Sequence, residues 1–216
     1  MNDSTNERII AIDGPAGSGK STIAKALAKK LNLDYLDTGA MYRAVAFVSL
    51  QQKLEVSNEQ EVLKVAKELD FNFDDGICVV HGKDASKEIR SSEVTETVSV
   101  VAAMPEVRKE MVKRQRTWAE EKGGGVVEGR DIGSVVFPEA KVKVYLTASE
   151  EIRAERRTEQ EETVDTSGVA DSIRKRDEAD KGRSTSPLVR SDDAIELDTT
   201  LMGIEETVEK ILELFR

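Results

Sequence analysis

Short runs of apolar residues alternate along the chain with segments in which apolar residues recur every three or four positions. The predicted strand at residues 8–13 contains the first run, residues 9–12, and after a glycine-rich turn Ile23, Leu27 and Leu31 recur at four-residue spacing. An apolar run bounded by turns predicts a buried strand, whereas the four-residue spacing predicts an amphipathic helix. The alternation predicts an α/β fold in which helices connect the strands of a parallel sheet.

The same pattern continues through the rest of the sequence. Further strands are predicted at residues 35–36, 126–128, 142–146 and 194–197. A helix is predicted around residues 62–69, and another from Pro105 to the glycines at 123–125, with Val107, Met111 and Trp118 inward. Two more are predicted after Ser149 as N-cap and around the inward residues Val208, Ile211, Leu212 and Phe215.

Two segments depart from this rhythm. Residues 71–73 and 77–80 are short apolar runs joined by Asp74, Asp75 and Gly76, and a second turn follows at residues 81–83. They predict a small antiparallel insertion on the main sheet. Residues 159–168 are rich in Glu and Thr, which predicts a solvent-exposed, mobile segment.

Composition narrows the class of protein. The 216 residues suffice for one globular domain, and 42 acidic against 32 basic residues give a formal charge of −10. This charge argues against broad binding to nucleic acid or membrane surfaces. With one cysteine, Cys78, and one histidine, His81, the sequence has no disulfide framework and no Cys-based or multi-histidine metal site. Short apolar runs and a polar N-terminal segment predict a soluble, cytoplasmic protein.

The glycine-rich turn carries the strongest chemical signal. It matches the P-loop spacing of Gly, four residues, Gly, Lys and Ser, and it lies between a predicted strand and a predicted helix. The motif comprises Gly14, Pro15, Ala16, Gly17, Ser18, Gly19, Lys20 and Ser21. Its backbone N–H groups bind phosphate oxygens, Lys20 supplies positive charge, and the Ser21 hydroxyl can ligate Mg²⁺. The motif therefore predicts binding of a nucleoside triphosphate.

A P-loop alone does not separate a kinase from a switch or a motor. No Asn is followed by Lys, so the Asn-Lys-x-Asp signature of a guanine-reading switch is absent from the sequence. Most arginines lie at or beyond Arg90, and several follow predicted strands, where open α/β sheets bind ligands. Because arginine suits bidentate phosphate contacts, this distribution favours a kinase with a second, anionic substrate.

Five ordered segments resemble the bacterial cytidylate kinase family over essentially the whole chain. They are residues 12–20, 36–43, 101–108, 128–138 and 176–183, the last followed by Ser186, Pro187 and Leu188. The resemblance implies a P-loop fold with a five-stranded parallel sheet, an enlarged monophosphate-binding region and a mobile lid. It implies Mg²⁺-dependent transfer of phosphate from ATP to CMP or dCMP. We expect the protein to be a monomer.

The resemblance also implies roles for individual residues. Those expected to bind ATP are Gly14, Pro15, Ala16, Gly17, Ser18, Gly19, Lys20, Ser21, Thr22, Arg153 and Arg157, with Ser21 on the metal. Those expected to bind CMP are Thr38, Arg43, Ser99, Arg108, Arg130, Asp131, Arg176, Asp180 and Arg183. Among these, Arg43 and Arg130 match acceptor-phosphate positions, and Ser99, Arg108 and Asp131 match positions that read cytosine. The expected catalytic residues are Lys20, Arg43, Arg130, Arg157 and Arg183.

The resemblance further divides the chain into a core (about residues 1–37, 95–150 and 184–216), a monophosphate-binding region (about 38–94) and a lid (about 151–183). Two departures from the family are visible: Glu128 stands where the family has Asp, and the slightly short lid carries the acidic run 159–162. From the residues alone, two alternatives stay open. One is a kinase for another small acceptor, such as UMP, AMP or shikimate, and the other is a nucleotide-binding regulatory module.

Overall fold

The computed structural model describes residues 3–74, 77–160 and 165–215. The chain divides into two compact units, one formed by Met1–Tyr35 with Ala119–Arg216 and the other by Leu36–Trp118. We call these the first and the second unit. The glycine-rich turn at residues 14–20 belongs to the first unit.

Helices and strands alternate through most of the described residues. The helices are α1 (Asp3–Asn6), α2 (Lys20–Leu31), α3 (Thr38–Gln51), α4 (Glu59–Glu68), α5 (Ser92–Val101), α6 (Pro105–Lys122), α7 (Glu150–Gln160), α8 (Thr166–Lys181) and α9 (Ile204–Phe215). The strands are β1 (Ile9–Asp13), β2 (Tyr35–Asp37), β3 (Phe71–Asp74), β4 (Ile77–Val80), β5 (Lys83–Asp84), β6 (Gly125–Gly129), β7 (Val142–Thr147) and β8 (Ile195–Asp198). Short 3₁₀ and π-helical turns lie at Glu88–Arg90 and Ile132–Val136.

The main sheet has five strands in the order β2-β6-β1-β7-β8. Strand β1 is central and fully buried, and it pairs in parallel with β6 on one side and β7 on the other. In this register Asp13 lies opposite Gly129 and Tyr145. The predicted α/β fold with a five-stranded parallel sheet is therefore confirmed, and the carboxyl ends of its central strands meet beside the P-loop.

Apolar side chains of α2, α9 and three strands form one core cluster. Ile23 and Leu27 of α2 pack with Ile12 of β1 and Val144 of β7, and Ile211 of α9 completes the group. Phe215 packs against this cluster while remaining partly exposed. The predicted inward faces of these two helices are confirmed. The core fixes the helix that begins at Lys20 against the strand that ends at Asp13.

The antiparallel insertion is a separate sheet, which corrects the prediction that it lies on the main one. Strands β3, β4 and β5 form this three-stranded sheet in the second unit, with Phe73 opposite Cys78. Its strands satisfy one another's backbone groups, so they need no place on the parallel sheet. Residues 75 and 76 of the predicted first turn lie outside the described residues.

Two local predictions also need correction. In α6, Trp118 is only half-buried, and the more deeply buried residue of that face is Gln115. Glu159 and residues 165–168 are exposed, as predicted. Segment 159–168 is also partly helical, which was not predicted: α7 continues to Gln160 and α8 begins at Thr166. The Asp165 carboxylate caps α8 by accepting the Gly168 N–H at 2.9 Å. Residues 161–164, which include half of the acidic run, lie outside the described residues.

Candidate active site

The P-loop joins β1 to α2 with a backbone that only glycine accommodates at two positions. Gly14 and Gly17 have positive φ angles of 148° and 75°. A Cβ at Gly14 would lie 2.1 Å from the Leu146 carbonyl oxygen, and one at Gly17 would lie 2.7 Å from that of Arg153. These glycines let the turn pass close to β7 and α7 and leave the amino end of α2 available for an anion.

Lys20, the first residue of α2, is almost fully buried within the loop. Its Nζ donates to the Pro15 carbonyl oxygen at 2.7 Å and lies 3.4 Å from the Ser18 hydroxyl. Burial, together with the nearby charge of Arg130, lowers the pKa of Lys20 to about 7, although the Glu128 carboxylate opposes this shift. A desolvated lysine at the start of a helix is well placed to gain from a phosphate ligand.

Asp13 links the P-loop strand to the turn that follows β6. Its carboxylate accepts the N–H groups of Ile132 at 2.8 Å and Gly133 at 2.7 Å. Burial raises the pKa of Asp13 to about 6, against the effect of these two hydrogen bonds. Asp13 was not predicted as a site residue. Its position at the end of the predicted first strand, immediately before Gly14, was the available signal.

Glu128 is a buried carboxylate near the end of β6. The Tyr35 hydroxyl donates to its Oε1 at 2.8 Å, and its charge raises the pKa of Lys20. The Glu128 side chain is therefore fixed by a phenol from the neighbouring strand. Tyr35 was not predicted as a site residue.

Four of the predicted site residues in the first unit form a charge cluster. Asp180 is buried on α8 and accepts from Arg130 Nε at 2.8 Å and also from Arg183. Burial would raise the pKa of Asp180, but these two arginines hold it below its usual range. Burial and the charge of Arg130 lower the pKa of Arg176 to about 10. Three arginines lie around the Asp180 carboxylate, and arginine donors suit a phosphate.

Helices α7 and α8 meet the P-loop at a second ion pair. Arg153 of α7 donates to Asp177 of α8, and both side chains are buried. Arg156, which the sequence analysis missed, donates to the Thr199 hydroxyl at 2.9 Å and its carbonyl oxygen at 2.8 Å. Its guanidinium is the nearest group to a Cβ placed at Gly19, at 3.6 Å. Arg157 is half-buried on the same helix.

The other predicted P-loop side chains lie at the start of α2. Ser21 is half-buried and Thr22 is exposed, while Ser18 is fully buried. Asp131 is also buried, and its carbonyl oxygen accepts the N–H groups of the turn that follows it. Within the described residues, no group of three His, Cys, Asp or Glu side chains is arranged to hold a metal by itself.

The remaining predicted acceptor-binding residues belong to the second unit. Arg43 is buried on α3 and donates to the Ile89 carbonyl oxygen at 3.1 Å and the Thr95 hydroxyl at 2.9 Å. Arg108 of α6 donates to the Ala102 carbonyl oxygen at 3.0 Å, and its guanidinium lies 5.5 Å from the centroid of the Tyr42 ring. Two buried arginines held by backbone and aromatic groups are rigid donors.

Thr38 and Ser99 are the other two predicted residues of this unit. Thr38 is buried at the first position of α3, next to the N-cap Asp37, which accepts the Ala40 N–H at 2.9 Å. Ser99 is half-buried on α5. Both therefore lie on regular helices that fix their backbone positions.

A buried parallel strand, a glycine-rich turn and a buried lysine at the start of a helix define a P-loop α/β protein. The family model described as cytidylate kinase matches residues 10–216. A cytidylate kinase of Bacillus cereus is 47% identical over 95% of this chain and 94% of its own length. That of Bacillus thuringiensis is also 47% identical, over 94% of this chain and 93% of its own. The chain belongs to the cytidylate kinase family.

A solved structure agrees at the level of the fold. An uncharacterised protein from Eubacterium ventriosum has a TM-score of 0.53 and 16% identity, and the match covers 97% of this chain and 98% of that one. None of the described helices is both long and apolar enough to cross a membrane.

Proposed function

We propose that this protein transfers the γ-phosphate of ATP to CMP and to dCMP, which yields ADP with CDP or dCDP. The observation that carries the proposal is the 47% identity to cytidylate kinases in a chain that places a buried P-loop lysine beside a cluster of arginines. As a member of this family the protein is a nucleoside monophosphate kinase, and the family does not favour a switch or a kinase of another acceptor.

The proposed mechanism needs little acid–base chemistry. The phosphate of CMP is already an anionic nucleophile near neutral pH, so catalysis consists of positioning and of neutralising charge on the transferred group. Lys20 and the P-loop N–H groups would hold the ATP phosphates, and Arg153 and Arg157 would cover them. This accounts for an enzyme whose sequence has a single histidine.

Several arginines would bind the acceptor phosphate. In the first unit, Arg130, Arg176 and Arg183 surround one carboxylate, Asp180. In the second unit, Arg43 is held by Ile89 and Thr95. We infer that Arg43, Arg130 and Arg183 neutralise the phosphates during transfer, whereas Arg176 and Asp180 bind around the sugar, and Thr38 binds the acceptor.

Cytosine would be recognised by Ser99, Arg108 and Asp131. Its 4-amino group is a donor that a carboxylate can accept, whereas N3 and O2 are acceptors that a guanidinium can satisfy. Uracil would place O4 against the carboxylate of Asp131. A site built on such hydrogen bonds discriminates strongly between the two bases.

Mg²⁺ fits the donor set at the start of α2. The ion prefers oxygen ligands and is usually held by substrate phosphates with few protein groups. The half-buried Ser21 hydroxyl follows Lys20 directly, and the buried Glu128 carboxylate lies near enough to raise the pKa of Lys20. Ser21 would hold the ion with the ATP phosphates, and the ion would withdraw charge from them. Glu128 would orient a water of its shell.

We also propose the division into core, monophosphate-binding region and lid given above, with a lid that closes over the nucleotides and excludes water. We expect a cytoplasmic monomer that binds neither nucleic acid nor membrane. Gel filtration with light scattering tests the oligomeric state.

An acceptor panel tests the activity. The protein is incubated with ATP and Mg²⁺ plus CMP, dCMP, UMP, AMP, shikimate or no acceptor, and ADP release is followed. We expect release that depends on CMP or dCMP. Slow release that no acceptor changes would indicate a regulatory nucleotide-binding protein instead.

A further inference from the structure

The backbone of one P-loop residue is bound on both sides by the lid helices. The Ala16 N–H donates to Asp177 Oδ1 at 3.0 Å, and the Ala16 carbonyl oxygen accepts from Arg153 Nη1 at 3.0 Å. The same Arg153 nitrogen also donates to Asp177 Oδ2. Asp177 on α8, Arg153 on α7 and the Ala16 peptide thus form a closed set of three hydrogen bonds.

These groups are held away from water. Asp177 is 6% exposed and Arg153 is 7% exposed. The backbones also touch here, because a Cβ at Gly17 would lie 2.7 Å from the Arg153 carbonyl oxygen. Any shift of α7 at Arg153 would therefore displace the phosphate-binding loop itself. Removing one partner of such a buried pair leaves an uncompensated charge.

A second ion pair on α8 provides a contrast. Arg174 donates to Asp171 at 2.6 Å, but their side chains are 55% and 56% exposed. Water can replace either partner there, and neither partner contacts the P-loop in the hydrogen bonds observed. Asp171 is therefore a matched control for the loss of one aspartate from the same helix.

We propose that Asp177 is a positioning residue for phosphoryl transfer. Its carboxylate fixes the Arg153 guanidinium and the Ala16 peptide in one arrangement beside Lys20. The hydrogen-bond donors of the lid helices and of the P-loop are then held in place to bind the ATP phosphates. The inference rests on the proposed function, in which Arg153 and the P-loop bind ATP. Asp177 acts through these groups, so its loss should affect ATP rather than CMP.

Steady-state kinetics of Asp177→Asn and Asp171→Asn test this. We expect Asp177→Asn to lower kcat/KM for ATP by about tenfold or more, with KM for CMP changed by less than about twofold. Asp171→Asn should have the same kcat/KM for ATP and the same KM for CMP as the unmodified enzyme. A lower KM for ATP with unchanged kcat would overturn the proposal, because Asp177 would then be a competitor of the phosphate at the Ala16 N–H.

A double-mutant cycle separates positioning from general damage. Arg153→Met and the double variant are measured beside Asp177→Asn, and thermal unfolding confirms that each is folded at the assay temperature. Asp177 acts partly through Arg153 and partly through its own bond to the Ala16 N–H. Adding Asp177→Asn to Arg153→Met should therefore lower kcat/KM by a clearly smaller factor than Asp177→Asn does alone. Losses that multiply would overturn the proposal.

Two further outcomes are distinguishable. If Asp177→Asn does not fold, Asp177→Glu is measured instead, because it keeps the negative charge but moves it by one methylene group. A folded Asp177→Glu enzyme with reduced kcat supports the positioning role. A folded Asp177→Glu enzyme with unchanged kcat overturns the proposal. If the unmodified protein shows no CMP-dependent ADP release, the proposed function fails. An active enzyme in which Asp177→Asn has no effect refutes this inference alone.

Discussion

The Lys20 Nζ donates a hydrogen bond to the Pro15 carbonyl oxygen at 2.7 Å. Both residues belong to the P-loop, in which Pro15 lies near the start and Lys20 near the end. The hydrogen bond of Lys20 within the loop is therefore accepted by an uncharged carbonyl oxygen. A phosphate oxygen would be a stronger acceptor for the same charge. Replacement of the carbonyl by phosphate is the step on which the proposed binding of ATP depends.

Lys20→Met should abolish most of the activity and leave the fold intact. The charge of Lys20 is needed mainly when negative charge moves in the transition state, so kcat should fall by about 10²-fold or more. The free energy of unfolding should not fall, because burial already disfavours the charged form of Lys20. Urea unfolding measures this, and exposed Lys29→Met on the same helix is the control. Near-normal turnover of Lys20→Met would contradict the assignment.

Binding of MgATP at pH 8 should take up a proton. With a pKa of about 7, Lys20 is mostly neutral at pH 8, and a bound phosphate favours its charged form and raises that pKa. Affinity should therefore fall as the pH rises above 7. Calorimetry in two buffers with different enthalpies of ionisation measures the uptake, which Lys20→Met should lose. Equal binding heats in both buffers would rule out the coupling.

Asp131→Ala should narrow the preference for CMP over UMP. It removes the acceptor proposed for the cytosine amino group and also the carboxylate that opposes uracil O4. Each unsatisfied group costs about 1–3 kcal/mol, so the ratio of the two kcat/KM values should fall by about tenfold or more. Exposed Glu139→Ala is the control. If both substrates weaken together and the ratio stays the same, Asp131 only supports Arg130 and does not read the base.

Asp180→Asn should destabilise the protein near neutral pH and less in acid. The pKa of Asp180 is lowered in the folded state, so its contribution to stability is present above the unfolded pKa and disappears as the pH falls through the folded one. Breaking this buried pair should cost about 3–5 kcal/mol at pH 7. Urea unfolding of the unmodified protein and of Asp180→Asn, from pH 7 down into the acid range, measures the difference between their free energies of unfolding. If this difference in the free energy of unfolding does not decrease in acid, the ionised Asp180 carboxylate does not stabilise the fold in this way.

The sequence predicts those features that are encoded locally. The P-loop could be located because Gly14 and Lys20 occupy fixed positions of one short motif. Strand β1 and helix α2 could be located from the pattern of apolar residues in each. The insertion at Phe71–Asp74 and Ile77–Val80 was predicted as antiparallel strands, but its separation from the main sheet depends on tertiary packing. Local patterns carry no information on which sheet a short strand joins.

The contacts that complete the site join residues far apart in the sequence. Asp13 accepts N–H groups of Ile132 and Gly133, and Asp177 accepts that of Ala16, 161 residues away. In the sequence Asp177 is one of many charges on a polar helix, so a solvated surface position was the simpler expectation. Only the fold shows that it is buried against the P-loop.

The fate of the γ-phosphate tests the central claim most directly. The protein is incubated with Mg²⁺, CMP and ATP that carries a radioactive γ-phosphate, and the products are separated. We predict that the label appears in CDP in proportion to ADP formed, and that Lys20→Met yields almost none. Label found only in inorganic phosphate, with CMP unchanged, would contradict the account.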